Sequence, residues 1–260
     1  MKRTFLLLSI LLIGALTSVA QDRAYERKAF TSSDGTELNY RLLTPAEGSK
    51  GKAFPLVIFL HGLGERGSDN EKQLVHGSQM FLNPVNQEKY PAYVIFPQCP
   101  ETSYWAYADR PSSIENLQAD AEMPATFKAL KELIDSYIAR PDVDESRVYI
   151  MGLSMGGMAT YDMVARFPET YAAAIPICGS VDPKRLENID GVCFRIYHGD
   201  ADPTVPVECS RRAYKALKKA GAKVEYHEFP GCGHDSWNPA FNQPDFMEWL
   251  FKQKKGKRSR

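Results

Sequence analysis

Arg147-Val148-Tyr149-Ile150-Met151-Gly152-Leu153-Ser154-Met155-Gly156-Gly157 is a short apolar run that passes through glycine and serine into a second pair of glycines. Val148 to Met151 has the length and the β-branched and aromatic content of a buried strand. Met155 to Phe167, directly after it, carries apolar side chains at helical spacing. Ser154 therefore falls on a sharp strand-to-helix turn, for which Gly152 and Gly156 supply clearance. A serine in that position is presented beyond the strand as a nucleophile; the competing reading is a turn or N-cap serine.

The same strand signature recurs on both sides of this run. PLVIFLHG (55–62), AYVIFPQ (92–98), AAAIPIC (172–178), VCFRIYHG (192–199) and KVEYHEFP (223–230) are separated by stretches long enough for helices. Helices are predicted over Ser113–Ala139, Met155–Phe167, Pro206–Ala220 and Pro239–Lys252. Ahead of them, Tyr25–Thr31 and Glu37–Leu43 flank Ser33-Asp34-Gly35, which predicts an antiparallel hairpin. The expected class is α/β: a mostly parallel sheet of about eight strands, an N-terminal antiparallel hairpin, and helices on both faces. Ligands in such sheets bind beyond the carboxyl ends of the strands, so the residues just after each strand carry the chemistry.

A serine hydroxyl needs a base, and the base needs an acid to orient it. On a strand-to-helix elbow of this kind the acid follows the serine in the chain and the histidine comes last. Of the later histidines, His198 ends a strand, His227 lies within one, and His234 stands in the loop GCGHDSW after the last strand, which singles out His234. Asp200 and Asp202 in YHGDADPTVP both remain candidates for the acid. Asp202 is preferred because it reaches further into the loop, whereas Asp200 is placed to hold the turn through backbone donors. For the oxyanion, the glycine-rich HGLGERG (61–67) and the start of the helix offer the N–H groups of Leu63 and Met155. His61 is expected to brace its loop rather than act as a second base.

HGLGERG, GLSMGG, HGDADPTVP and GCGHDSW, in that order, resemble the α/β-hydrolase superfamily over nearly all of residues 25–250. Within it the chain resembles the small carboxylesterase/phospholipase-like and feruloyl-esterase-like groups, and also prolyl-oligopeptidase-like predicted peptidases. The resemblance implies Ser154, Asp202 and His234 as the triad, Leu63 and Met155 as oxyanion donors, and no cofactor or metal. Relatives often carry a lid between the sixth strand and the next helix, but Cys178–Val192 is too short to hold one, so no lid domain is expected. Gln98 opens an aromatic loop that includes Trp105, which resembles a tryptophan of esterases acting on plant polysaccharides. Gln98, Trp105 and Trp237 are the expected substrate contacts. The leading function is a serine carboxylic ester hydrolase that works through an acyl-enzyme and takes a small-molecule or polysaccharide-linked ester, such as a feruloyl or acetyl group. A serine peptidase and a non-catalytic binding domain are the alternatives.

Composition bounds the rest. The 260 residues carry 43% hydrophobic and 25% charged side chains, ordinary for one globular domain. Lys2 and Arg3 precede an apolar run from Phe5 to Leu16 and then Ser18-Val19-Ala20, the layout of a signal peptide cleaved near Ala20, which implies a secreted or periplasmic protein. The expected division is thus a signal peptide (1–20), a catalytic domain (21–253) and a basic disordered tail (254–260). Loss of Lys2 and Arg3 from 32 basic residues leaves 30 against 32 acidic ones, a balance that predicts no nucleic-acid partner. No segment predicts stable membrane insertion. Oligomeric state and the pairing of Cys99, Cys178, Cys193, Cys209 and Cys232 stay open.

Overall fold

A computed structural model describes residues 24–45, 52–107, 111, 113–114, 117, 122–189 and 191–256. The expected signal peptide lies outside these residues. Eight strands form one sheet: β1 (Glu26–Thr31), β2 (Glu37–Leu43), β3 (Phe54–Leu60), β4 (Tyr93–Pro97), β5 (Val143–Leu153), β6 (Ala173–Ile177), β7 (Cys193–Gly199) and β8 (Lys223–Phe229). Their order is β1-β2-β4-β3-β5-β6-β7-β8. β1 pairs antiparallel with β2, β2 antiparallel with β4, and every later pairing is parallel. This is the α/β-hydrolase arrangement.

Every residue of β3, β4 and β6 is buried, as strands sandwiched between helical layers must be. The edge strand β8 instead alternates exposed and half-buried residues over its first half. On one face pack α3 (Ala125–Ile138), α4 (Met155–Arg166) and α5 (Glu208–Lys219). On the other lie α1 (Ser78–Leu82), α6 (Trp237–Phe241) and α7 (Phe246–Lys252), with α2 (Pro84–Lys89) following α1. Among the described residues no helix is long and apolar enough to cross a membrane. Between β6 and β7 only residues 178–192 intervene, with one 3₁₀ turn, Pro183–Leu186. Arg185 of that turn and Arg166 both pair with the buried Asp162 of α4, which locks the crossover onto the helix behind Ser154.

Two helices differ from expectation, and proline explains both. The helix expected from Ser113 begins at Ala125, because Pro124 takes the N-cap position with extended ψ. The helix expected over Pro239–Lys252 is two, since Pro244 lacks the donor and biases Gln243 away from helical geometry. β5 starts earlier than its apolar run, at Val143, across an irregular register with β3 between Phe54 and Leu56. The basic tail is still anchored at Lys255, whose N–H donates to the Ser146 carbonyl at 2.9 Å; residues 257–260 lie outside the described residues.

Candidate active site

The elbow between β5 and α4 is a close approach that only glycine permits. A Cβ on Gly152 would stand 2.4 Å from the Gly156 carbonyl oxygen, and one on Gly156 would stand 2.0 Å from that of Leu60. Ser154 itself takes φ 53° and ψ −117°, a strained conformation that costs on the order of 1–3 kcal/mol. Its backbone is held on both sides, with N–H to the Ile177 carbonyl at 2.9 Å and its carbonyl to the Met158 N–H at 3.0 Å.

The loops after β7 and β8 meet over this serine. His234 Nε2 lies 2.9 Å from Ser154 Oγ, and His234 Nδ1 lies 2.7 Å from Asp202 Oδ2. The Asp202 side chain is shut off from solvent, and its Oδ1 accepts the N–H groups of Thr204 (2.8 Å) and Val205 (2.9 Å). Burial pushes the Asp202 carboxyl up, but hydrogen bonds from His198 and His234, with the two amides, outweigh it and hold the group well below the usual carboxylate range. Asp200 is exposed and accepts the Gly231 N–H at 2.6 Å, tying the two loops together at their base. A Cβ on Gly199 would stand 2.2 Å from the Cys232 carbonyl oxygen, so this glycine lets the histidine loop close onto the end of β7.

His198 lies behind Asp202, a position that sequence reasoning did not give it. The ring is wholly buried, with Nε2 at 2.9 Å from the Val205 carbonyl and 3.3 Å from Asp202 Oδ2, and Nδ1 at 2.6 Å from Ser210 Oγ. Both neighbours of Nε2 are acceptors, so Nε2 carries the proton. The available signal was the spacing of His198 and Asp202, four residues apart on a strand-end turn.

On the other side of the cleft, His61 is also buried. The Cys99 N–H donates to its Nε2 at 2.9 Å, so Nδ1 carries the proton and donates to the Gly62 carbonyl at 2.6 Å. Desolvation pushes its pKa down to about 4, and the ring is neutral at neutral pH. Because the Gly62 carbonyl and the Leu63 N–H share one peptide plane, His61 fixes the direction of that N–H. Leu63 opens a 3₁₀ turn, Leu63–Glu65, and is itself partly exposed. Met155 is the first residue of α4, where an N–H has no carbonyl one turn earlier to bond.

Two expected substrate contacts are corrected. Trp105 is fully buried, donating from Nε1 to the His61 carbonyl at 3.3 Å, and its ring has no face open to a ligand. Gln98 is buried too: its amide donates to the Glu65 carbonyl and Asp69 Oδ1 and accepts the Asn70 N–H, so it staples the loop after β3 to the end of β4. Trp237 is partly exposed and packs edge-on against His234, ring centroids 5.8 Å apart. Among the described residues the one cluster with ligand atoms close enough for an ion is Cys178, Asp202 and His234. Burial pushes the Cys178 thiol up to about 12, which disfavours the thiolate a metal would need, and the other two are engaged with each other. All five cysteines are free thiols.

The phospholipase/carboxylesterase family model matches residues 46–245. Among solved structures the chain is similar to a thermostable esterase, at 35% identity and a TM-score of 0.82, covering 90% of this chain and 64% of that one. Among curated proteins it is similar to carboxylesterase SOBER1 of Arabidopsis thaliana, 26% identical over 78% of this chain and 92% of the relative. It is also similar to feruloyl esterase B of Neurospora crassa, 25% identical over 65% of this chain and 53% of the relative.

Proposed function

The chain belongs to the phospholipase/carboxylesterase family and is a carboxylesterase; from that premise we propose that it works by an acyl-enzyme on Ser154, and that its ester is a feruloyl or acetyl group carried on a polysaccharide. The observation that carries the mechanism is the relay of 2.9 Å from Ser154 Oγ to His234 Nε2 and 2.7 Å from His234 Nδ1 to Asp202. His234 takes the hydroxyl proton as Oγ attacks the ester carbonyl, and Asp202 keeps Nδ1–H in the required tautomer. The N–H groups of Leu63 and Met155 stabilise the tetrahedral oxyanion, each contributing on the order of 10²- to 10³-fold in rate. His234 then protonates the departing alcohol, and water, activated by the same imidazole, releases the acid from Ser154.

Two features support the polysaccharide-linked substrate: the short 178–192 crossover, which holds no lid over Ser154, and the similarity to a feruloyl esterase. Secretion to the periplasm or medium rests on the Lys2-Arg3, Phe5–Leu16 and Ser18-Val19-Ala20 pattern, and an N-terminus at Gln21 in protein isolated from its host tests it. A fluorophosphonate probe tests the nucleophile. Ser154 is expected to be labelled in folded protein, and Ser154→Ala is expected to keep the fold while losing para-nitrophenyl acetate turnover. Label on another serine, or substantial turnover by purified Ser154→Ala, refutes the assignment. Methyl ferulate and a chromogenic peptide, assayed side by side, test the substrate class.

A further inference from the structure

A row of side chains runs from His234 to the oxyanion loop and takes no part in the relay. Trp237 packs edge-on to His234 at 5.8 Å, His76 packs at a tilt against Trp237 at 5.0 Å, and His76 Nε2 stands 3.7 Å from Glu65 Oε1. Glu65 closes the 3₁₀ turn that begins at Leu63. Its carboxylate leans back over the loop, with Oε2 3.0 Å from where a Cβ on Gly62 would be. Only 16% of this side chain is exposed, yet the 3.7 Å approach to His76 is too long for a hydrogen bond. A carboxylate covered this far ordinarily has a hydrogen-bonding partner.

We propose that Glu65, His76 and Trp237 form the subsite for the alcohol half of the ester, and that this alcohol is polyhydroxylated. The inference rests on the triad reading, because the leaving oxygen must lie against His234 Nε2 to collect its proton, and Trp237, His76 and Glu65 are the groups that continue outward from that ring. The chemistry of the row selects the alcohol. A hydroxyl both donates and accepts, so neighbouring hydroxyls satisfy the partly exposed Glu65 carboxylate and the His76 ring nitrogen together, beside the partly exposed ring of Trp237. Choline, a quaternary ammonium, offers charge to Glu65 but no hydrogen-bond donor or acceptor beyond its ester oxygen, and leaves His76 unanswered. A plain alkyl alcohol leaves both unanswered, and a site built for hydroxyls discriminates strongly against an analogue without them.

Acetate esters of ethanol, glycerol, xylose and choline, with the acyl group held constant, test the subsite in wild-type protein, Glu65→Gln and His76→Gln. The xylose and glycerol esters are expected to exceed ethyl acetate in kcat/KM by roughly tenfold or more. Glu65→Gln is expected to cut kcat/KM for the hydroxylated esters roughly tenfold more than for ethyl acetate, chiefly through KM. His76→Gln is expected to move in the same direction by less. A larger value for xylose than for glycerol identifies a sugar ring as the occupant, and the reverse identifies a glyceride; either ordering supports a polyol subsite. Equal losses on all four esters, no loss, or a preference for the choline ester overturns the proposal. Wild-type protein that turns over para-nitrophenyl acetate without discriminating among the four refutes the subsite alone, whereas wild-type protein inert on every ester refutes the triad reading beneath it.

Discussion

His61-Gly62 ends β3 and His198-Gly199 ends β7, so the same dipeptide closes a strand on each side of the cleft. Both imidazoles are fully buried and both use both nitrogens. They differ in what they hold. The ring nitrogens of His61 bond backbone alone, the Cys99 N–H and the Gly62 carbonyl, and brace the peptide that carries the Leu63 N–H. His198 sits against a carboxylate and a hydroxyl, and braces Asp202. On the proposed mechanism, one histidine positions a dipole for a charge that appears only during reaction; the other positions a charge that is always present. The side that holds the standing charge should therefore fail chiefly in rate, and the side that holds the dipole chiefly in stability.

The largest effect belongs to the standing charge. Asp202→Asn is expected to lower kcat by roughly 10³- to 10⁴-fold, because a neutral amide no longer stabilises the imidazolium or enforces the tautomer. Asp200→Asn, whose residue holds only the Gly231 N–H at the surface, is expected to stay within a few-fold. Steady-state kinetics on para-nitrophenyl acetate decide it, and a larger loss at 200 than at 202 would transfer the role of the acid.

The next effect is a pH dependence of stability that comes from His61. Its folded pKa is pushed down to about 4 from an ordinary 6.5, so between those values the unfolded chain binds a proton that the folded chain does not. Stability from this group is fully present above pH 6.5 and is lost as pH falls towards 4. The loss reaches about 2–3 kcal/mol near pH 4.5, a shift of 1 unit corresponding to about 1.4 kcal/mol. Urea midpoints at pH 7.5 and 4.5 should differ by that amount more in wild-type protein than in His61→Gln. Identical acid sensitivity in the two would remove His61 as the cause. His198→Leu, by contrast, should cost about 1–2 kcal/mol by stripping one donor from Asp202 and from the Val205 carbonyl, with kcat falling and KM little changed.

Legibility followed the same division. The meeting of Ser154, His234 and Asp202 was readable because each occupies a strand-end loop whose glycines and chain order constrain it: Gly152 and Gly156 around the serine, Gly199 and Gly231 around the other two. The parallel sheet was readable because a strand covered on both faces has to be apolar throughout. Trp105 and Gln98 were misread because a strand-end position says which loop a residue is on but not which way its side chain turns. Trp105 adopts φ 53°, which swings its ring down against His61 at 5.1 Å, and no periodicity in the sequence encodes that reversal. The row Glu65, His76 and Trp237 was hidden for a related reason, since its members come from three separate segments and meet only through tertiary packing.

The smallest effect tests whether the β3 side is scaffold throughout. Trp105→Phe keeps a ring in the cavity and removes one hydrogen bond, Nε1–H to the His61 carbonyl, in a residue with no exposed surface. About 1 kcal/mol of stability should go with that bond. The ratio of kcat/KM between acetyl-xylose and ethyl acetate should stay as in wild type, because the substitution alters the support of the oxyanion loop and leaves the alcohol side untouched. If that ratio fell tenfold with stability unchanged, the Trp105 ring would have to reach the substrate. The β3 side would then supply recognition as well as support, and the contrast between the two His-Gly ends would reduce to their charge alone.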